Sequence, residues 1–209
     1  FGGLFKRIAN TGSIEKTLCV LLAYDVIIVG LAVIWLTKFA GGKGISLRAI
    51  GWRTDNFWKD VAWGCGGYLA TIPFLILAVI IAAFFDNVLP SKANPIGEIA
   101  EMTSTFSGRL LVLAMASVFA PLVEETFFRG VLFPAIWRRT RRLWLAIFAS
   151  ALFFAFVHPQ FLSGALAITI IGSFLALLYA ERRSLIPGAV MHAIHNTVLM
   201  ILIFLLYSS

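Results

Sequence analysis

Charged residues are scarce in this chain of 209 residues: they make up only 13% of it, whereas hydrophobic residues make up 60%. Soluble domains are nearer a quarter charged and half apolar, so this chain has too little polar surface to cover a globular core in water. Cysteine is rarer still, and the two cysteines match no metal-binding or redox spacing. The composition excludes a soluble enzyme, a disordered chain and a disulfide-stapled module, and it leaves an integral membrane protein.

The formal net charge of +7 has a membrane explanation. Membrane proteins concentrate Lys and Arg in their cytoplasmic loops, and most of the basic residues here fall between the predicted spans on one side. We therefore expect a lipid bilayer as partner and no nucleic acid. The expected location is the bacterial inner membrane, with the more basic side in the cytoplasm.

Long apolar runs predict an all-α polytopic transmembrane helical bundle that forms a single domain, 1–209. A bilayer core of about 30 Å needs about 20 helical residues. The predicted spans are about 18–39, 61–85, 110–137, 143–158, 161–180 and 185–207, of which 143–158 is shorter than a full span. Residues 1–17 suit an interfacial helix, and one or two short interfacial or re-entrant helices are expected in all. Because the chain begins at Phe1 and not at Met, we also expect a segment upstream.

Three charged residues interrupt the third predicted span, at Glu124, Glu125 and Arg129. Charges inside a span are costly and are by default functional. Glu125 and Arg129 are spaced i, i+4, so they can pair on one helix face. That pairing leaves Glu124, about 100° away around the helix, without an obvious partner. We expect Glu124 to act as a general base; the alternative is that all three charges only neutralise one another.

All three histidines of the chain lie downstream in apolar segments, at His158, His192 and His195. Glu124 and His158 lie at equal chain distances from the basic turn near Arg141, so an antiparallel hairpin places them at similar depth. Asn196 follows His192 by one helical turn and lies at a comparable depth in the last span. A single buried histidine is usually a packed core residue, but this set predicts that polar side chains from three helices converge in the motif-bearing core, 110–200.

These residues resemble the CAAX-protease and bacteriocin-processing family, also called the CPBP or Abi family, whose members are intramembrane proteases. The resemblance covers roughly residues 110–196. The motifs that carry it are Glu-Glu-x-x-x-Arg at 124–129, Phe-x-x-x-His at Phe154 and His158, and His-x-x-x-Asn at His192 and Asn196. Any one motif would be weak, but the three in order on hydrophobic helices are specific.

The resemblance implies a glutamate-type intramembrane endopeptidase that acts on a membrane-associated or lipidated peptide or protein. It implies that Glu124 and His158 activate a water molecule, while His192 and Asn196 stabilise the oxyanion. It also implies an eight-helix bundle and no required cofactor. The residues to which it gives supporting roles are Glu125 and Arg129.

Two alternatives to that function and one alternative to its chemistry stay open at this stage. A zinc ion bound by Glu124, His158 and His192 is chemically feasible. A non-proteolytic scaffold, assembly factor or subunit of a larger membrane complex would carry the same motifs, because a fold does not prove a reaction. A small transporter would instead require repeats or paired half-helices, and the sequence has neither.

Overall fold

The structure is a computed structural model that describes residues 46–88, 105–158 and 162–206, and every regular element within these ranges is helical. The all-α prediction is therefore confirmed for this part of the chain. In order, the elements are α1 (Leu47–Ile50), α2 (Phe57–Val88), α3 (Phe106–Ala114), the π-helical turn π1 (Met115–Phe119), α4 (Ala120–Phe127), the π-helical turn π2 (Phe128–Leu132), α5 (Phe133–Thr140), α6 (Leu143–Val157), α7 (Leu162–Arg182) and α8 (Ile186–Leu206).

Four stretches of helix are long and apolar enough to cross a membrane: Phe57–Phe84, Phe106–Thr140, Gly164–Arg182 and Ile186–Leu206. They correspond to the second, third, fifth and sixth predicted spans. The predicted span 143–158 is the shorter apolar helix α6, which has 15 residues. The predicted span 18–39 and the predicted interfacial helix 1–17 lie outside the described residues. The described part therefore has four of the six predicted spans.

The described residues form two compact units. The first contains residues 105–121 and 195–206, and the second contains 46–88, 122–158 and 162–194. The core of the first unit is built from α3 and the end of α8, where Val112, Met200 and Ile203 are buried. The helix Phe106–Thr140 and α8 each contribute residues to both units.

The core of the second unit lies among α5, α6, α7 and the start of α8. Its largest fully buried apolar side chains include Phe133, Ile147, Phe154, Leu175 and Leu185. The outer face of α2, in contrast, exposes large apolar side chains such as those of Leu69, Phe74 and Ile80. Such a surface would be unfavourable in water and is the surface expected against lipid tails.

Helix α2 is joined to α7 at one end by a charged pair. The Asp60 carboxylate accepts hydrogen bonds from Nε and Nη2 of Arg182, at 2.9 and 2.8 Å. In the same unit, the Trp52 indole donates a hydrogen bond to the Thr126 hydroxyl at 2.9 Å. These contacts fix the basic end of the second unit.

The hairpin of α5 and α6 turns at Arg141, whose backbone is left-handed with φ of 57°. The depth of a residue on either arm of the hairpin is set by its distance along the chain from this turn. Glu124 lies before the turn on α4, and His158 caps the far end of α6. If these two side chains lie at equal depth, as the sequence predicts, the distance between them is short.

Candidate active site

The buried ion pair of Glu125 and Arg129 is the centre of the polar cluster in the second unit. Arg129 Nη1 donates to Glu125 Oε1 at 2.9 Å, and the two side chains are 1% and 0% exposed. Arg129 Nη2 also donates to the Gly172 carbonyl of α7 at 3.2 Å. The i, i+4 pairing predicted from the sequence is confirmed. Because both charges are buried, removing either side chain would leave the other charge without its partner and would destabilise the protein.

Glu124 lies beside this pair and faces two histidines. Its Oε2 atom is 3.8 Å from Nε2 of His158 and 3.7 Å from Nε2 of His192. The same oxygen is buried and has no hydrogen-bond partner. The convergence of Glu124 and His158 confirms the equal depth that their distances from the turn predict. Three side chains from α4, α6 and α8 therefore meet at one point.

In each histidine, the contact made by Nδ1 determines whether Nε2 donates or accepts a hydrogen bond. His158 Nδ1 lies 2.6 Å from the Phe154 carbonyl, which can only accept, so Nδ1 carries the proton. His192 Nδ1 lies 3.2 Å from Glu125 Oε1, and a carboxylate paired with arginine likewise accepts. In their neutral forms both histidines therefore present an Nε2 lone pair to Glu124.

The three facing atoms, Glu124 Oε2 and the two Nε2 atoms, are then all acceptors, and no donor lies among them. Acceptors that converge in a largely enclosed place are unfavourable unless a donor is present between or beside them. A water molecule is the smallest group that can donate to two of them. The geometry therefore favours a bound water molecule or a proton next to the Glu124 carboxylate.

Phe154 organises the cluster in a way that the sequence does not predict, because its motif position alone suggests packing. Its ring lies 4.4 Å from the ring of His158 and 5.7 Å from that of His192, measured between centroids. The guanidinium carbon of Arg129 lies 4.5 Å from the centroid of the same ring. This fully buried ring thus holds one side chain of each motif in place and gives the cation a favourable π-face.

A comparison with protein-family models finds a match over the residues that form this cluster. Residues 106–198 match the family model described as type II CAAX prenyl endopeptidase Rce1-like. The match covers 93 of the 209 residues, and we refer to residues 106–198 as the Rce1-like segment. The CAAX-protease resemblance seen in the motifs is confirmed, and with four apolar helices it makes the protein an integral membrane protein. Searches of curated proteins and of solved structures each returned no significant match.

Asn196, the last motif residue of the Rce1-like segment, belongs to the first unit. Its side-chain Nδ2 donates to the carbonyl of Ala116 in π1 at 2.7 Å. The structure therefore assigns Asn196 a defined contact within its own unit. Its role as an oxyanion donor remains a prediction of the family resemblance.

The described residues were also compared with the ligand arrangements that metal ions require. Across the described ranges, no group of three or more His, Cys, Asp or Glu residues is arranged to hold a metal ion. The set that the sequence allows for zinc, formed by Glu124, His158 and His192, has separations of 3.7 and 3.8 Å from the carboxylate oxygen to the two nitrogens. Metal dependence is thus a matter for a chelation experiment.

Gly188 is a second residue of the Rce1-like segment that sequence reasoning misses. A Cβ atom built at this position would lie 2.5 Å from Oε2 of Glu125, so α8 can approach the ion pair only because no side chain is present. We expect Gly188→Ala to destabilise the protein by about 1–3 kcal/mol, since the fully buried Glu125 has no room to move. Unfolding titrations in mixed micelles measure this change.

Gly66→Ala is the matched control for Gly188→Ala. Gly66 also lies within a membrane-spanning helix, but a Cβ atom there has no neighbour within 4 Å. This substitution should leave stability unchanged or raise it by up to about 1 kcal/mol, because alanine has less conformational freedom to lose. Equal effects of the two substitutions would contradict the close approach at Gly188.

Proposed function

We propose that this protein is an intramembrane endopeptidase that hydrolyses a peptide bond of a membrane-associated or lipidated protein. The single observation that carries the proposal is the convergence of Glu124 Oε2 with Nε2 of both His158 and His192, at 3.8 and 3.7 Å, without a donor among them. The Rce1-like match to residues 106–198 supports the reaction class. We place the protein in the bacterial inner membrane, where its basic composition and apolar spans fit.

The proposed reaction begins with a water molecule between Glu124 and His158. Water that donates one hydrogen to the carboxylate and one to Nε2 of His158 has a lone pair directed away from both, toward an incoming carbonyl carbon. Glu124 takes one proton as the oxygen–carbon bond forms, and the carbonyl becomes an oxyanion. The same proton then passes to the leaving nitrogen as the carbon–nitrogen bond breaks, which restores the Glu124 carboxylate.

The oxyanion requires donors in place before the reaction starts, because preorganised donors avoid the cost of reorientation. His192 can donate from Nε2 only when it carries two protons, since its Nδ1 proton is directed to Glu125. The neighbouring Glu125 carboxylate orients such an imidazolium. Asn196 is proposed as a further donor on the strength of the family motif.

Access to Glu124 favours an enzyme over a non-catalytic scaffold. The Glu124 and His158 side chains are 26% and 22% exposed, whereas Glu125 and Arg129 are enclosed. A purely structural cluster gains nothing from leaving part of the Glu124 side chain accessible. A hydrolase needs this arrangement, because both water and the peptide must reach that side chain.

A cleavage assay in proteoliposomes tests the proposed function and the substrate class together. The substrates are a peptide with a prenylated C-terminal CAAX sequence and the same peptide without the prenyl group. We expect the wild-type protein to cleave the prenylated peptide faster, because the isoprenoid delivers the scissile bond to the membrane. Comparative proteomics of membrane-protein termini, with wild type and Glu124→Gln, then identifies substrates in cells.

The assay contains its own controls. Activity that survives dialysis against EDTA supports the metal-free reaction, whereas loss that zinc restores would assign Glu124, His158 and His192 to a metal. No cleavage of either peptide, together with identical protein termini in wild-type and Glu124→Gln cells, would contradict protease function and favour the scaffold.

A further inference from the structure

An apolar groove lies between α2 and α7, in the second unit. Its cavity volume is about 630 Å³, which falls within the range of about 300–1,000 Å³ of small-molecule sites. The α2 wall combines four small residues with Trp63, and the α7 wall consists mainly of large apolar residues. The residues that define the two walls include Ala62, Gly66, Gly67 and Ala70 on α2 and Phe174 and Leu178 on α7.

The groove is separate from the candidate active site. Helix α7 contributes to both, but with different faces. Its residue Gly172 contacts Ala151 of α6 and accepts a hydrogen bond from Arg129, whereas Phe174 and Leu178 line the groove. A core cluster that includes the buried Ile171, Leu175 and Leu178 forms the back of the groove. A ligand in the groove would therefore not touch Glu124.

Two opposite charges stand at one end of this apolar groove. Lys59 lies near the start of α2 and Glu181 near the end of α7, and both are exposed and line the groove. Each is next in sequence to a member of the Asp60–Arg182 pair, which ties the two helices together at this end. Lys59 and Glu181 form no ion pair with any residue in the described ranges. Their charges are therefore available to a ligand at the mouth of the groove.

The length of the groove matches one leaflet of a bilayer. From Lys59 to Ala70 helix α2 rises by about 16 Å, at about 1.5 Å per residue. This is close to half of the hydrocarbon core, which is about 30 Å thick. The charged mouth lies at the end of the spans Phe57–Phe84 and Gly164–Arg182, so it lies at the membrane surface while the small residues line the apolar interior.

We propose that this groove binds one glycerophospholipid with a zwitterionic, ammonium-bearing headgroup. Lys59 pairs with the phosphate, Glu181 with the ammonium group, and an acyl chain lies against Gly66 and Ala70. The opposite charges complement both ends of such a headgroup, whereas an anionic headgroup without an ammonium group leaves Glu181 facing negative charge. This lipid site does not depend on the proposed peptidase activity.

Native mass spectrometry of the purified full chain, titrated with phosphatidylethanolamine or phosphatidylglycerol, tests the site. We expect the wild type to bind the first phosphatidylethanolamine about tenfold more tightly than phosphatidylglycerol, about 1.4 kcal/mol. Glu181→Lys should reverse that preference, because the mouth then carries two positive charges. Exchanging both charges, with Lys59→Glu and Glu181→Lys together, should restore it.

Gly66 supplies a steric test of the same site. Gly66→Leu fills the groove from a position where a Cβ atom meets nothing within 4 Å, and it should weaken the first lipid-binding event by about tenfold or more. Gly66→Ala should weaken binding much less than Gly66→Leu because it adds only one methyl group, and thermal unfolding at or above the wild-type temperature shows that each variant is folded. Equal affinity for the two lipids, an unchanged preference in Glu181→Lys, or displacement of the lipid by a prenylated peptide would overturn the proposal.

Discussion

Replacing Glu124 with glutamine should lower the rate of peptide cleavage by about 100- to 10,000-fold, the range over which a general base contributes. The amide keeps the shape of the side chain but cannot take a proton from water. Stability should change little, because Oε2 of Glu124 has no hydrogen bond to lose. The measurements are kcat/KM in proteoliposomes and an unfolding titration of each protein.

Asp55→Asn is the control for Glu124→Gln. It makes the same carboxylate-to-amide change at an exposed position outside the candidate spans, in a pair with Arg48. We expect its cleavage rate to stay within about twofold of the wild type, since it lies away from the reacting groups. A Glu124→Gln protein that folds and retains full activity would refute the proposed mechanism.

Replacing Arg129 with methionine should destabilise the second unit by about 3–5 kcal/mol, the cost of breaking a buried ion pair by removing one partner. The Glu125 carboxylate is 0% exposed and would keep its charge without the guanidinium that lies 2.9 Å away. The substitution also removes the donor to the Gly172 carbonyl and the cation on Phe154. Reversible unfolding in mixed micelles measures the loss.

Two further variants separate the charge effect from the packing effect. Adding Glu125→Gln to Arg129→Met should recover part of the lost stability, because the stranded charge is removed. Arg48→Met, which breaks an exposed pair with Asp55 at the same 2.9 Å, should cost about 1 kcal/mol or less. If the buried and the exposed arginine proved equally dispensable, the central role of the Glu125–Arg129 pair would be wrong.

The sequence predicts those parts of the cluster that depend on local geometry. The i, i+4 spacing gives the Glu125–Arg129 pair, because residues four apart are neighbours on any α-helix. Equal chain distances from the basic turn give the approach of Glu124 to His158, because both arms of a helical hairpin rise at the same rate. Apolar run length likewise gives the spans 61–85 and 185–207 to within a few residues.

Other features depend on tertiary contacts between distant residues, which residue spacing does not encode. The hydrogen bond of His192 to Glu125 joins residues 67 apart and depends on how closely α8 packs. That approach in turn needs Gly188, which looks like an ordinary helix-start glycine in the sequence. The central position of Phe154 is hidden for the same reason, since aromatic residues are common throughout this chain.

The π-helical turn π2, Phe128–Leu132, begins three residues after Glu125 and contains Arg129. A π-helical turn accommodates an additional residue relative to an α-helical turn, and one residue corresponds to about 100° of rotation. π2 therefore has the same effect as one residue added to an α-helix, and it shifts the phase of the helix between Glu125 and the basic turn. A relative with a regular α-helix here would match this chain across a one-residue gap, and a helical wheel drawn straight through the insertion would assign α5 to the wrong face.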